Sequence, residues 1–339
     1  MAAGKGPLLL GACLSLTGRY SRFGLQAARA LEVWRGLDGD AELIVEDDCS
    51  DPTRLTERLA GLARRCDLLL GPYSTQLTRA AARVVPELDR LLWNHGGAGD
   101  DVEDACPGRI VSVLAPASRY AVPFVQHVAG SPTRAPLWVL QGKGTFGRQV
   151  AGGAEAAGRR FGLETVRVGP KTSFRDDDHP AVWDLFSVGV FEDDVAIVAK
   201  TLTSSRPPRE VCSVAAGVRE FARAVTHPEG IYGIAQWFPG SGAVAELGPP
   251  EDMFIERYTR LAGAMPDYPA VQALAGAVIA AHCARVAGDL NVEALWQAAV
   301  GLDTTTVFGP FHIDSQTGAQ VGHQTTLVRW FAGGLTAVR

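Results

Sequence analysis

The sequence predicts an α/β protein made of two units, each built on a parallel central sheet. Three observations lead there. Strand-like and helix-like segments alternate from the start, the pattern restarts near residue 136, and the order then breaks into consecutive helices after residue 250. A length of 339 residues favours two domains over one.

The first series has apolar runs at 8–14, 42–46, 68–70, 91–94 and 110–113. They are too uniformly apolar to alternate, as expected for strands covered on both faces. Amphipathic helix-length segments at 24–35, 52–65 and 76–88 separate the first four. Such a series implies right-handed crossovers. The second series places strands at 136–141, 165–168, 184–188, 210–214 and 231–236, with helices at 147–161 and 192–204. Residues 171–182 carry Asp176-Asp177-Asp178-His179 and read mostly as a solvated loop. Three helices follow at 250–264, 268–287 and 291–300. A tail hairpin is expected from 307–314 and 325–331, turning at Ser315-Gln316-Thr317-Gly318.

Composition narrows the function classes. The chain is 47% hydrophobic and 20% charged, with 32 basic and 37 acidic residues and a formal net charge of -5. That balance offers no basic stripe for a nucleic acid. No run is expected to reach the ~18 apolar residues of a membrane span, so no direct membrane insertion is predicted. The short run 7–14 reads as a buried strand rather than a leader. The chain is therefore either cytoplasmic or an exported protein whose leader is gone. None of the six cysteines forms C-x-x-C, and pairing of Cys49 with Cys66 is left open. No histidine pair has metal-ligand spacing, so no metal is expected.

Gly142-Lys143-Gly144-Thr145-Phe146-Gly147 matches a dinucleotide-binding turn between strand and helix. The following strand ends in Val168-Gly169-Pro170-Lys171, without the carboxylate that would hold a ribose. An NAD(P)-dependent enzyme is thus the weakest reading. Neither a P-loop nor a G-x-S-x-G elbow is present, and no catalytic residue or cofactor is assigned.

Two loops at carboxyl ends of strands carry more. Gly71-Pro72-Tyr73-Ser74-Thr75-Gln76 offers an aromatic, two hydroxyls and helix-start amides. Trp93-Asn94-His95-Gly96-Gly97-Ala98-Gly99 offers close backbone approach and two polar tips. In open parallel sheets ligands bind outside these ends. The ordinary alternative for each is a cap or a tight turn.

The order of features resembles the type 1 periplasmic binding proteins of the branched-chain amino acid and amide class. The resemblance rests on Leu16-Thr17-Gly18 with Phe23-Gly24, Asp47-Asp48 with Asp51-Pro52, and Gly71-Pro72 with Ser74-Thr75. It continues in Thr145-Phe146-Gly147 and in Phe308-Gly309-Pro310-Phe311 with Asp314 and Thr317-Gly318. It implies two Rossmann-like lobes joined by a three-segment hinge, with 1–116 and 240–308 in lobe one and 117–239 and 309–339 in lobe two. A ligand would lie in the interlobe cleft, and no bond would be made or broken.

The resemblance also implies roles. Phe23, Phe146 and Phe191 would be the aromatics, and Ser74 and Thr75 would receive an oxygen of the ligand. Gly96 and Ala98 fall where a carbonyl and a Thr hydroxyl are used. The acidic ammonium partner falls near Ala215 or Ala216, where no carboxylate stands, with Glu192 as a substitute from the adjacent loop. The expected pocket takes in Phe23, Tyr73, Ser74, Thr75, Trp93, Asn94, His95, Gly96, Gly97, Ala98, Phe146, Phe191 and Ala215. The ligand would be a small polar or amphipathic molecule: an amino acid derivative, an amide or an aromatic carboxylate. The partner would be an ABC transporter permease or, for a cytoplasmic sensor of the same fold, a regulatory protein.

Overall fold

A computed structural model describes residues 6–169, 180–240 and 244–338. The expected acidic loop at 176–179 lies outside these residues. In chain order the first stretch holds β1 (Leu8–Leu14), α1 (Ser21–Asp38), β2 (Ala41–Asp47), α2 (Pro52–Ala63), β3 (Leu68–Leu70), α3 (Thr75–Val84), β4 (Leu92–Asn94) and β5 (Ile110–Ser112). The next holds α4 (Val122–Ala129), β6 (Leu137–Gln141), α5 (Gly144–Phe161), β7 (Thr165–Val168), β8 (Asp184–Val188), α6 (Phe191–Leu202), β9 (Val211–Ser213), α7 (Phe221–Ala224) and β10 (Tyr232–Ala235). Then come α8 (Glu251–Ala262), α9 (Tyr268–Ala287), α10 (Val292–Val300), β11 (Thr304–Thr306) and β12 (Gly309–Phe311), and finally β13 (Thr326–Phe331) and β14 (Gly334–Ala337).

The chain divides into two compact units, Met1–Leu114 with Gly242–His323 and Ala115–Ser241 with Gln324–Arg339. Residues 309–323, expected in the second lobe, therefore sit with the first unit. The reason is that β12 pairs antiparallel with β11, and Ser112 donates its amide to the Gly318 carbonyl at 3.0 Å.

The first unit has a five-stranded sheet in the order β2-β1-β3-β4-β5, with every pairing parallel. On one face Leu55, Leu59 and Leu62 of α2 and Leu77 and Ala81 of α3 pack with Leu69, Leu92 and Ile110. Asp51 starts α2 by accepting from the amides of Thr53 and Arg54 at 2.9 Å, the usual N-cap service. The other face carries α1 and α9. At Gly24 an added Cβ would lie 2.0 Å from the Ser15 carbonyl, so only glycine lets α1 come this close to the end of β1. Of the 20 residues of α9, 16 are buried, so it is apolar all round rather than on one stripe. It is long and apolar enough to cross a bilayer, contrary to the expectation that no such run exists, but its place is the core of this unit.

The second unit has a seven-stranded sheet in the order β14-β13-β10-β9-β8-β6-β7. Strands β6 to β10 are parallel, while β13 runs antiparallel to β10 and β14 antiparallel to β13. The expected tail hairpin is thus corrected. Ile313 and Gln320 share a single bridge, and the later strand leaves to extend the second unit's sheet. Glutamine amides bond backbone within each unit. Gln236 exchanges bonds of 3.1 and 3.0 Å with the backbone of Ala115, and Gln320 donates to Val113 at 3.2 Å.

At the amino end of β8, Asp184 is fully buried and holds Arg209 through contacts of 2.9 and 2.5 Å. Removing one partner of such a pair strands a buried charge. Arg209→Met is expected to cost about 3–5 kcal/mol, read as a lowered midpoint in urea denaturation. An unchanged midpoint would show the pair to be silent.

Candidate functional site

Each sheet reverses its strand order once, and the crevice at that reversal is where an α/β sheet opens to a ligand. In the first unit the reversal lies between β1 and β3. The segments after these strands carry Phe23 and Tyr73, whose rings stack at 4.3 Å with an interplanar angle of 18°. The Tyr20 ring lies tilted to Tyr73 at 6.3 Å, and the Tyr73 hydroxyl lies 3.3 Å from that of Tyr268 on α9. The Arg19 and Arg22 guanidinium groups lie over the rings of Tyr20 and Phe23 at 4.4 and 5.7 Å. Burial pushes the Tyr268 hydroxyl up to about 12.

Ser74 stands at the N-cap of α3 with φ 92°, a conformation an L-residue adopts only under constraint. The constraint is visible. Its amide donates to the Gly96 carbonyl at 2.9 Å, its carbonyl accepts from Thr78, and its hydroxyl accepts from the Leu77 amide at 3.3 Å. The hydroxyl proton and the first amides of α3 are left to serve something outside the helix. Thr75 follows and is buried.

The loop 93–99 proves to be a brace for this edge. Asn94 Oδ1 accepts from the amides of Gly96 and Gly97 at 3.2 and 2.8 Å, and Nδ2 donates to the Gly97 carbonyl at 2.8 Å and to Ser112 Oγ at 2.7 Å. The expected ligand-facing tip is therefore spent inside the loop. The glycines have the same purpose, since a Cβ on Gly96 would strike Tyr73 at 2.6 Å and one on Gly97 would strike Thr78 at 2.3 Å. Ala98 is buried beside them. Trp93 and His95, expected as pocket wall and tip, are 0% exposed. His95 lies against α9, 3.6 Å from where a Gly276 Cβ would be. Burial lowers its imidazole to about 4.

In the second unit the reversal lies between β6 and β8. Gly142 and Gly189 follow these strands in close approach, with a Gly142 Cβ only 2.5 Å from Gly189 Cα. Two glycines of the nucleotide-like motif, Gly142 and Gly147, thus sit where a Cβ would meet backbone, whereas Gly144 is placed by its φ of 93°. Phe146 and Phe191 stand half-buried in the first turns of α5 and α6, Phe146 meeting Tyr120 edge-on at 5.3 Å.

Ala215 overturns one expectation. No carboxylate was foreseen beside it, yet its amide faces Asp194 Oδ2 at 3.4 Å. Glu192, the expected substitute, is exposed, whereas Asp194 is buried and also accepts from Ser187 Oγ at 2.7 Å. Burial raises its carboxyl to about 6. Glu103 is a second missed group, 5% exposed and hydrogen-bonded to Ser112. Both left a trace in sequence: a polar residue at the end of each of two neighbouring apolar strands. Asn94 pairs with Ser112, and Ser187 with Ser213.

Among the described residues no group of His, Cys, Asp and Glu could hold a metal ion. Cys49 and Cys66 are free thiols. A cavity of about 1190 Å³ elsewhere in the second unit, bounded by His127, Arg160 and Arg209, contains none of the expected site residues.

Solved structures with this architecture are numerous. A leucine-binding protein of Thermotoga maritima superimposes with a TM-score of 0.81 at 14% identity, covering 98% of each chain. This is the type 1 periplasmic binding protein fold. A branched-chain amino acid transporter substrate-binding protein of Streptococcus pneumoniae, in complex with isoleucine, shares the fold with a TM-score of 0.79 at 14% identity, covering 98% of this chain and 99% of its own. An ABC transporter solute-binding protein of Rhodopseudomonas palustris, in complex with 3,4-dihydroxybenzoic acid, gives 0.79 at 16% identity, covering 97% of this chain and 95% of its own. No family model matches the sequence, and no curated protein does.

The buried imidazole gives a pH prediction. Between about 4 and the ordinary 6.5, folded His95 binds fewer protons than the unfolded chain. Its contribution to stability is therefore present above 6.5 and lost as pH falls through about 4. Nitrogen-detected NMR is expected to show a neutral His95 ring at pH 5.5. An imidazolium there would contradict the burial.

Proposed function

We propose that the protein is a non-catalytic solute-binding component of an ABC transporter, holding a small aromatic carboxylate at the carboxyl edge of the first unit's sheet. The observation that carries this reading is the Phe23–Tyr73 stack at the β1/β3 reversal, beside the N-terminus of α3 capped by Ser74. A flat ring extends such a stack. A carboxylate suits the helix-start amides and the Ser74 hydroxyl. Arg19 and Arg22 over the neighbouring rings add positive charge to the same edge.

An amino acid fits less well. An α-ammonium needs a counter-charge, since burying it unpaired costs several kcal/mol. On the first unit's edge Asp47 already accepts from the amides of Leu16, Thr17 and Cys49 and from the Thr17 hydroxyl. On the second, Asp194 is buried behind Ser187 and Ala215. The dihydroxybenzoate complex of the Rhodopseudomonas palustris protein supports an aromatic acid on this fold. A transporter permease is the corresponding partner.

Isothermal titration calorimetry at pH 7 tests the reading. 3,4-Dihydroxybenzoate is expected to bind at least ~10-fold more tightly than leucine, and Ser74→Ala to weaken it by about 1–3 kcal/mol. Tighter leucine binding, or an unaffected Ser74→Ala variant, would remove the aromatic-acid assignment.

A further inference from the structure

We infer that Glu103 is a positioning residue whose protonation state governs how firmly the first unit's binding edge is held. The inference rests on the proposed function for its consequence in binding, but its structural basis stands without a ligand.

A continuous hydrogen-bonded path connects the two places. Glu103 bonds the Ser112 hydroxyl, which accepts from Asn94 Nδ2 at 2.7 Å. Asn94 Oδ1 holds the amides of Gly96 and Gly97, and the Gly96 carbonyl holds the Ser74 amide at 2.9 Å. Every side chain along this path up to Gly97 is buried, and Val102 beside Glu103 is fully buried, so the turn that carries the acid is anchored in the core. The path ends on the constrained φ of Ser74, which needs outside bonds to persist.

Among the described residues no cation pairs with the acid. Asp100 and Asp104 on its own turn both disfavour its ionisation. Asp101 is paired with Arg79 of α3 at 3.4 Å, and Arg109 before β5 with Asp89 at 2.7 Å. His95 after β4 is neutral above about 4. Asp314, in the turn whose Gly318 carbonyl accepts from the Ser112 amide, is engaged by the amides of Gln316 and Thr317. Burial, the largest cause, raises the Glu103 carboxyl to about 7.

The sign follows from linkage. Any local opening that wets Glu103 returns it to its ordinary value of 4.5, so ionisation favours the open form. The edge is held best with Glu103 neutral and loosens as pH rises through about 7. Glu103→Gln, permanently neutral and of the same shape, removes this dependence.

Amide hydrogen exchange at pH 5.5 and 8.5, corrected for intrinsic rates, tests it. Protection at Ser74, Gly96 and Gly97 is expected to fall roughly ten-fold in the unmodified protein. It should stay level in Glu103→Gln, while β8 amides of the second unit behave alike in both. Ser112→Ala cuts the path midway and is expected to lower protection at the three amides without pH dependence. This variant decides the matter should the Gln protein not fold. Identical profiles in unmodified and variant proteins, or a level profile in the unmodified one, would overturn the inference. Benzoate, which does not titrate in this range, is then expected to bind Glu103→Gln more tightly than the unmodified protein at pH 8.5. Failure of benzoate to bind either, with diverging exchange profiles, would sink the ligand assignment and leave the role of Glu103 standing.

Discussion

The bond from the Ser74 amide to the Gly96 carbonyl is the contact on which the carboxyl edge of the first sheet depends. It holds a serine at a positive φ, and that conformation sets the direction in which α3 begins. The loops after β3 and β4 are consequently one object. Gly96 and Gly97 lack side chains because Tyr73 and Thr78 occupy that space, and Asn94 closes the loop from within. The aromatic stack of Phe23 and Tyr73 is presented by a rigid base rather than by a free loop.

The two units solve the same problem alike. Each sheet has neighbouring loops at its carboxyl edge that approach too closely for side chains, after β3 and β4 in the first unit and after β6 and β8 in the second, and each roots a loop on a buried carboxyl group. In the first unit Glu103 reaches the loop through Ser112 and Asn94, and in the second Asp194 accepts directly from the Ala215 amide and from Ser187 Oγ. A buried acid is costly to ionise, yet as a hydrogen-bonding centre it fixes several backbone groups at once. In the glycine-rich motif at 142–147, Gly142 and Gly147 belong to the same economy of space, while Gly144 has a positive φ and open space around it.

Much of this architecture was legible in sequence. Uniformly apolar runs marked strands covered on both sides, and the restart near residue 136 marked the second sheet. The fate of the tail was not legible. The alternation in Thr326–Phe331 fits an antiparallel partner, but nothing local distinguishes a hairpin mate from the open edge of β10. The site was legible in outline only. Asn94 and His95 look like ligand tips because a sequence does not show that four bonds consume the one and α9 covers the other. Asp194 and Glu103 stand among other acidic residues, and nothing in the sequence marks which one turns inward. In each run one carboxylate turns inward while Asp193 or Asp104 stays exposed.

The order of segments along the chain has a consequence for biosynthesis. During synthesis, residues 1–114 emerge first, but α9, which covers one face of their sheet, is made after the whole central stretch of the second unit. The nascent first sheet must wait with that oily surface uncovered. The second unit waits in turn for β13 and β14 at the end. Neither half can complete its sheet and its helical cover until the later segments are made.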